Sequence, residues 1–175
     1  MPDRLRNFHP MNSVKSHIIL GIDPGIARMG WGVVEETGGG KPQAKAYGCF
    51  ETPSSMKHEA RLAAVHQELT CLIKKYKPDR VAVEKLFFSK NVKTALQVGE
   101  ARGVILMTCA ELQVLCLEIS PKEVKQALTG YGQADKQQMQ KMVQLILKLP
   151  EIPKPDDAAD ALALALCASR LTDSH

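Results

Sequence analysis

The chain is poor in aromatic residues, with one tryptophan, three tyrosines and four phenylalanines among 175 positions. It lacks any apolar run near the roughly 20 residues that a membrane-spanning helix needs, so no membrane segment is expected. Its first sixteen residues, MPDRLRNFHPMNSVKS, lack the apolar core of a secretory leader. The five cysteines, Cys49, Cys71, Cys109, Cys116 and Cys167, are odd in number and form no CxxC pair. That argues against a disulfide scaffold and reads as reduced thiols in a cytoplasmic protein. The histidines (His9, His17, His58, His66 and His175) keep no metal-ligand spacing with those cysteines, which argues against zinc. They also fall outside the segments in which chemistry concentrates, so no Ser–His or Cys–His nucleophile is indicated.

What is present is ordinary for a soluble globular protein: 45% hydrophobic residues, 24% charged, and a formal charge of +4. Residues 1–16 are expected to form a disordered tail, and 17–172 one domain large enough for a real core. HIILGID and MGWGVVEE read as strands joined by PGIAR, and AKAYGCFE as a third strand after a Gly-rich turn. Helical spacing follows over 56–76, then the strand RVAVE (80–84), a helix from about 91 to 112, and the strand VLCLEI (114–119). Ser120 and Asp135 are N-cap candidates for two further helices, and DDAADALALALCASR forms the last. The order predicts an α/β fold: a three-strand antiparallel meander continued by parallel strands into a five-stranded mixed sheet, flanked by helices.

Strand one ends on Asp23 and strand four on Glu84. For Asp23 alone three roles are open: a turn aspartate, part of a nucleotide loop, or a metal ligand. If strands one and four are parallel neighbours, the two carboxylates meet at the carboxyl edge of the sheet, where α/β folds place ligands. In the last helix Asp157 and Asp160 are three apart and share a face. Asp156 is explained as a first-turn acid favoured by the helix dipole. Asp160 lies among alanines and leucines with no basic residue within a turn, so a bound cation is the expected compensation. Four converging oxygen donors suit Mg²⁺ or Mn²⁺, and two such ions can drive in-line phosphodiester displacement. A sugar-kinase or actin-like phosphotransferase would need a second domain and a second phosphate loop, and the chain has neither. A catalytically silent binding module would carry the acids as a burden on stability.

Four blocks, GIDPGIARMGWGVV, AVEKLFFSKNVKTALQVGEARGV, VKQALTGYGQADKQQMQKMV and PKPDDAADALALAL, are similar to those of RuvC-type Holliday junction resolvases. That family belongs to the ribonuclease H-like superfamily, and the resemblance spans Ile18 to Arg170. It implies a ribonuclease H-like fold and metal-binding, catalytic acids at Asp23, Glu84, Asp157 and Asp160; some members carry histidine at the Asp157 position. It implies two Mg²⁺ ions, with Mn²⁺ able to substitute, and a homodimer that nicks opposed strands of four-way junction DNA symmetrically in recombination and repair. A branch-migration helicase complex is the partner the family implies.

Residues for the DNA follow from both readings. Phe87 and Phe88 stand in a polar-flanked loop after Glu84, and an exposed ring there could stack on an unpaired base. The resemblance favours Phe87 as the wedge, while packing beneath the loop accounts equally well for Phe88. Lys90 and Asn91 follow in the same loop. The resemblance puts Lys125 and Lys136 on the DNA backbone, where they would neutralise phosphates without reading sequence. Lys93, Arg102, Lys122 and Lys141 are further cations in these segments. Ala95, Gly99 and Gly103 recur every four residues; contact with the chain's own sheet is the plainer account, and a seam between two copies is the other.

Overall fold

Alternation along the first strand decides which side chains face which layer. In β1 (Ser16–Asp23), Leu20 and Ile22 point into one apolar cluster, while Ile19 points to the other side. Period-two geometry therefore sends Gly21 and Asp23 to the Ile19 side. The computed structural model describes residues 16–37, 40–85 and 92–171. The tail expected over 1–16 lies outside them, apart from Ser16, which opens β1.

β2 (Arg28–Thr37) pairs antiparallel with β1, and β3 (Gln43–Glu51) pairs antiparallel with β2. Helix α1 (His58–Tyr76) then crosses to β4 (Arg80–Glu84), parallel to β1, and α2 (Val92–Glu111) crosses to β5 (Leu115–Ile119), parallel to β4. The sheet order is β3-β2-β1-β4-β5, the predicted meander joined to two crossover units. Helices α3 (Pro121–Thr129), α4 (Lys136–Leu147) and α5 (Asp156–Arg170) complete the chain.

The sheet has two differently built faces. One carries Leu20, Ile22, Met29, Val33, Val81 and Val83 beneath α1 and α2, which contribute Val65, Leu69 and Ile105. The other carries Ile19, Val34, Ala82 and Ile119 beneath α3, α4 and α5. Helix α5 is buried from Ala161 to Ser169 without interruption, as the Ala-Leu run anticipates. Both expected caps form: Ser120 Oγ accepts from the Glu123 N–H at 3.2 Å, and Asp135 Oδ1 accepts from the Gln138 N–H at 2.8 Å. Glu123 and Gln138 reciprocate, closing two capping boxes. No helix among the described residues is long and apolar enough to cross a membrane.

Two sequence readings change here. Gly103 faces open space, and a Cβ built on it would meet nothing within 4 Å, so contact with the sheet does not explain it. Arg102 pairs with Glu118 and faces the α2 side, not the side on which Asp23 stands.

The seating of α5 depends on glycines. A Cβ on Gly21 would stand 1.9 Å from the carbonyl oxygen of Ala161, and one on Gly30 would stand 2.0 Å from that of Asp157. Both obstacles are helix backbone, which cannot rotate away as a side chain can. Gly30→Ala is therefore expected to cost about 2–3 kcal/mol, in line with overpacked cores, read as a lowered urea midpoint. A midpoint equal to the wild type would show that α5 is not held this close to β2.

Candidate active site at the carboxyl edge of the sheet

The register Ile22↔Val83 makes the next residues, Asp23 and Glu84, adjacent strand tips. Glu84 follows Ala82 onto the α5 face, as Asp23 follows Gly21. The turn beyond Asp23 is pinned by buried Thr52, whose hydroxyl donates to the Ile26 carbonyl at 2.6 Å and whose N–H donates to that of Ala27 at 3.0 Å. Asp160, in the first turns of α5, completes a cleft of about 210 Å³ lined by Asp23, Glu84 and Asp160. Pro121, Val124 and Lys125 of α3 and Lys136 and Met139 of α4 form its other wall.

The electrostatics record this crowding. Burial, then repulsion from Asp160, Glu84 and Asp157, pushes the Asp23 carboxyl up to about 8. Glu84 is raised by burial and by Asp160. Asp160 is also raised, mainly by burial, with Lys136 pulling the other way. Desolvation leads in all three cases, as is typical of sites built to hold charge they cannot easily carry alone.

Asp160 is not short of a cation, contrary to the expectation from its own helix. Lys136 Nζ reaches across from α4 to 3.6 Å from Asp160 Oδ2 and 3.0 Å from Asp156 Oδ2. Asp156 also accepts from Gln140 Nε2 at 3.0 Å, so it anchors α4 to α5 as well as serving the helix dipole. The missed partner lies 24 positions away in sequence, beyond any spacing rule.

Asp157 stands one groove away, lining a space of about 730 Å³ with Arg28, Lys136, Lys154, Pro155 and Asp156. Arg28 forms an ion pair with it, Nη2 standing 2.9 Å from Oδ2. Arg28 attracted no notice in the sequence, although Arg28 and Gly30 are two apart on β2 and so share its α5 face. Among the described residues, no three carboxylate, thiol or imidazole groups are already gathered as an ion would hold them. Arg28 and Lys136 neutralise the α5 acids in that arrangement.

The donor set nevertheless fits a hard divalent cation. Three carboxylates share one cleft, with a fourth on the next turn face, all offering oxygen and none paired with a thiol or imidazole. Of the DNA-contact candidates, Lys125 and Lys136 face the acids across the cleft. Phe87, Phe88, Lys90 and Asn91 lie outside the described residues, and nothing is described of the Lys93 side chain.

The raised Asp23 carboxyl has a consequence for stability. Its folded-state value lies above that of an unfolded aspartate, so the folded protein favours the protonated form. Without metal, stability should fall as pH rises from about 4 to about 8, the window between the two values. Asp23→Asn should flatten that dependence and stabilise the metal-free protein by about 1–2 kcal/mol at pH 8, a trade-off common at active sites. Thermal unfolding in EDTA at pH 5 and pH 8 checks it; equal loss of stability with pH in both proteins would contradict it.

Comparison with known proteins bears on the family. Residues 19–168 match the family described as Crossover junction endodeoxyribonuclease RuvC. The protein of that name from Caldicellulosiruptor saccharolyticus is 54% identical over 149 residues, 85% of this chain and 90% of the relative. The one from Roseiflexus is 55% identical over 148 residues, 85% and 88% of the two chains. Among solved structures, T. thermophilus RuvC in complex with Holliday junction substrate superposes with a TM-score of 0.84 at 35% identity, covering 89% of this chain and 94% of that one. The yeast mitochondrial Holliday junction resolvase Ydc2 shares the fold, with a TM-score of 0.66 at 15% identity. With adjacent acidic strand tips under an acid-bearing terminal helix, and a match over 150 consecutive residues, this chain belongs to the RuvC family of crossover junction endodeoxyribonucleases.

Proposed function

We propose that this protein resolves four-way DNA junctions by nicking two opposed strands, using Mg²⁺ held by Asp23, Glu84, Asp157 and Asp160. The observation that carries the reading is the cleft in which three of those acids face Lys125 and Lys136. Two bound ions would supply an activated water and stabilise the leaving oxygen of the phosphodiester, and Mn²⁺ has the same ligand preference. Asp23 and Glu84, fixed by the β1–β4 register, form the rigid half of the ligand set. Asp157 and Asp160 form the other half, positioned by the first turns of α5. Lys125 and Lys136 orient the strand by contacting its phosphates, and because their contacts are ionic they carry no sequence preference. Phe87 lies three positions after Glu84 in sequence, which supports a role for it at the junction centre, and Lys90 and Asn91, six and seven positions after Glu84, are assigned to DNA contact in the same reading.

Symmetric cutting needs two active sites related by a two-fold axis, which a homodimer supplies. The outward face of α2, with exposed Leu96, open Gly103 and exposed Met107 one or two turns apart, suits such a contact. A branch-migration helicase partner and a cytoplasmic setting belong to the same reading.

Asp23→Asn and Glu84→Gln are expected to bind a synthetic four-way junction with near wild-type affinity and to lose cleavage in Mg²⁺ by at least about 100-fold, as for removal of a group acting in the transition state. Full cleavage by either variant would end the proposal. Lys125→Ala should weaken junction binding and lower its salt slope by about one unit, as expected for one phosphate contact. Gel-shift titrations across salt concentrations measure this, and an unchanged slope would remove Lys125 from the DNA surface.

A further inference from the structure

Asp160 and Asp157 of α5 are each held by a cation from elsewhere in the fold, and the two cations differ in their surroundings. Lys136 is shared between the acid cleft and the neighbouring groove, with Asp156 as its nearer partner. Arg28 lines the neighbouring groove, with Lys136 and Lys154, and meets Asp157 from the start of β2. Its second partner, Glu51 on β3, is at 3.6 Å and more exposed. The Arg28–Asp157 contact is thus the shortest ion pair Arg28 makes, yet both side chains remain partly open to water, at 46% and 25% exposure. Half-exposed pairs of this kind are weak and exchange readily.

We propose that Arg28 is an exchangeable counter-ion that couples DNA binding to metal loading: it holds Asp157 in the free protein and moves to a backbone phosphate when DNA enters the groove. This rests on the reading of Asp157 as a metal ligand. A planar guanidinium suits a phosphate at least as well as a carboxylate, and Lys154 and Lys136 give the same groove the positive charge a phosphate needs. Once Arg28 leaves, Asp157 is an unpaired carboxylate beside three others, and a divalent cation becomes its best available partner. Each charged group keeps a partner of opposite sign through the exchange, since phosphate replaces carboxylate on Arg28 and a divalent ion replaces Arg28 on Asp157. Because Arg28 and the ion compete for one carboxylate, phosphate binding raises metal affinity, and by linkage metal binding raises DNA affinity by the same factor. Ion uptake is thereby favoured on a strand already in place, where it serves cleavage. Arg28 is a positioning residue on this account, acting through Asp157.

The test measures metal binding without turnover. Mn²⁺ binding to the DNA-free protein, by calorimetry or by the loss of the free-ion paramagnetic signal, should be about fivefold tighter in Arg28→Ala than in the wild type, the low end of ordinary coupling. Junction binding in EDTA should be weaker in the same variant, with a salt slope lower by about one. Adding a junction that carries non-hydrolysable linkages should tighten Mn²⁺ binding in the wild type and do so less in the variant. Arg28→Gln, which keeps hydrogen bonding but removes the charge, gives the same comparison if the alanine variant does not fold. Unchanged or weaker Mn²⁺ binding in a folded Arg28 variant overturns the inference. Asp157→Asn separates the two levels: if it leaves Mn²⁺ binding intact, the ligand assignment fails, whereas if it weakens binding while Arg28 variants do not tighten it, only the exchange fails.

Discussion

Helix α5 lies against β1 and β2 with its backbone where side chains would normally intervene, and the rest of the site depends on that closeness. Gly21 and Gly30 leave the carbonyls of Ala161 and Asp157 room to approach the strands. Alanines at Ala158, Ala159, Ala161, Ala163, Ala165 and Ala168 thin the helix, and every one of them is buried. Close packing of small residues on small residues fixes the helix within narrow limits, because any added methylene has nowhere to go. A helix so placed carries Asp160 to the carboxyl edge of the sheet, where β1 and β4 end in Asp23 and Glu84. The position of the α5 acids is thus set by backbone packing immediately beside them, at Asp157 and Ala161.

The same closeness creates the electrostatic problem the site has to answer. Acids brought onto one edge and partly withdrawn from water repel one another and resist ionisation, most of all Asp23. The fold answers with cations from two directions: Lys136 from the first turn of α4 and Arg28 from the start of β2. The placement of Lys136 follows from local chemistry, since the Asp135–Gln138 capping box fixes where α4 begins. These internal cations pair with Asp156, Asp157 and Asp160 of α5.

The two sheet faces divide the work. The α1–α2 face is an apolar core of strand valines, isoleucines and leucines, with its ion pairs at the periphery, such as Arg102–Glu118 and His58–Glu100. The α5 face becomes polar only toward the carboxyl edge. Alternation along β1 and β4 sends Asp23 and Glu84 to this face while Ile22 and Val83 stay in the opposite core. A one-residue slip of the strand register would turn the acids toward the apolar α1–α2 face, which is why register decides where they stand.

Much of the architecture was legible from local signals. Alternating strands, the helical period of 56–76, the Ser120 and Asp135 caps and the Ala-Leu final helix all encode their structure within a few residues, because backbone geometry and capping are short-range. The two strand-end acids were legible for the same reason: a carboxylate closing an apolar run stands out against its neighbours. Asp160 was identified by a local contradiction, a charge among alanines and leucines. Its solution could not be read the same way, because Lys136 comes from another helix and ion pairs depend on distance in space. Arg28 was invisible on similar grounds, being an ordinary strand-end arginine until β2 meets α5. Gly103 turned outward and Arg102 turned to Glu118, since the orientation of α2 is set by packing against α1 and β5. The sequence alone determined the elements, their order and the four candidate acids. Tertiary packing alone decided which charges face them, because Coulomb interactions and close contact act across the folded chain without regard to sequence separation.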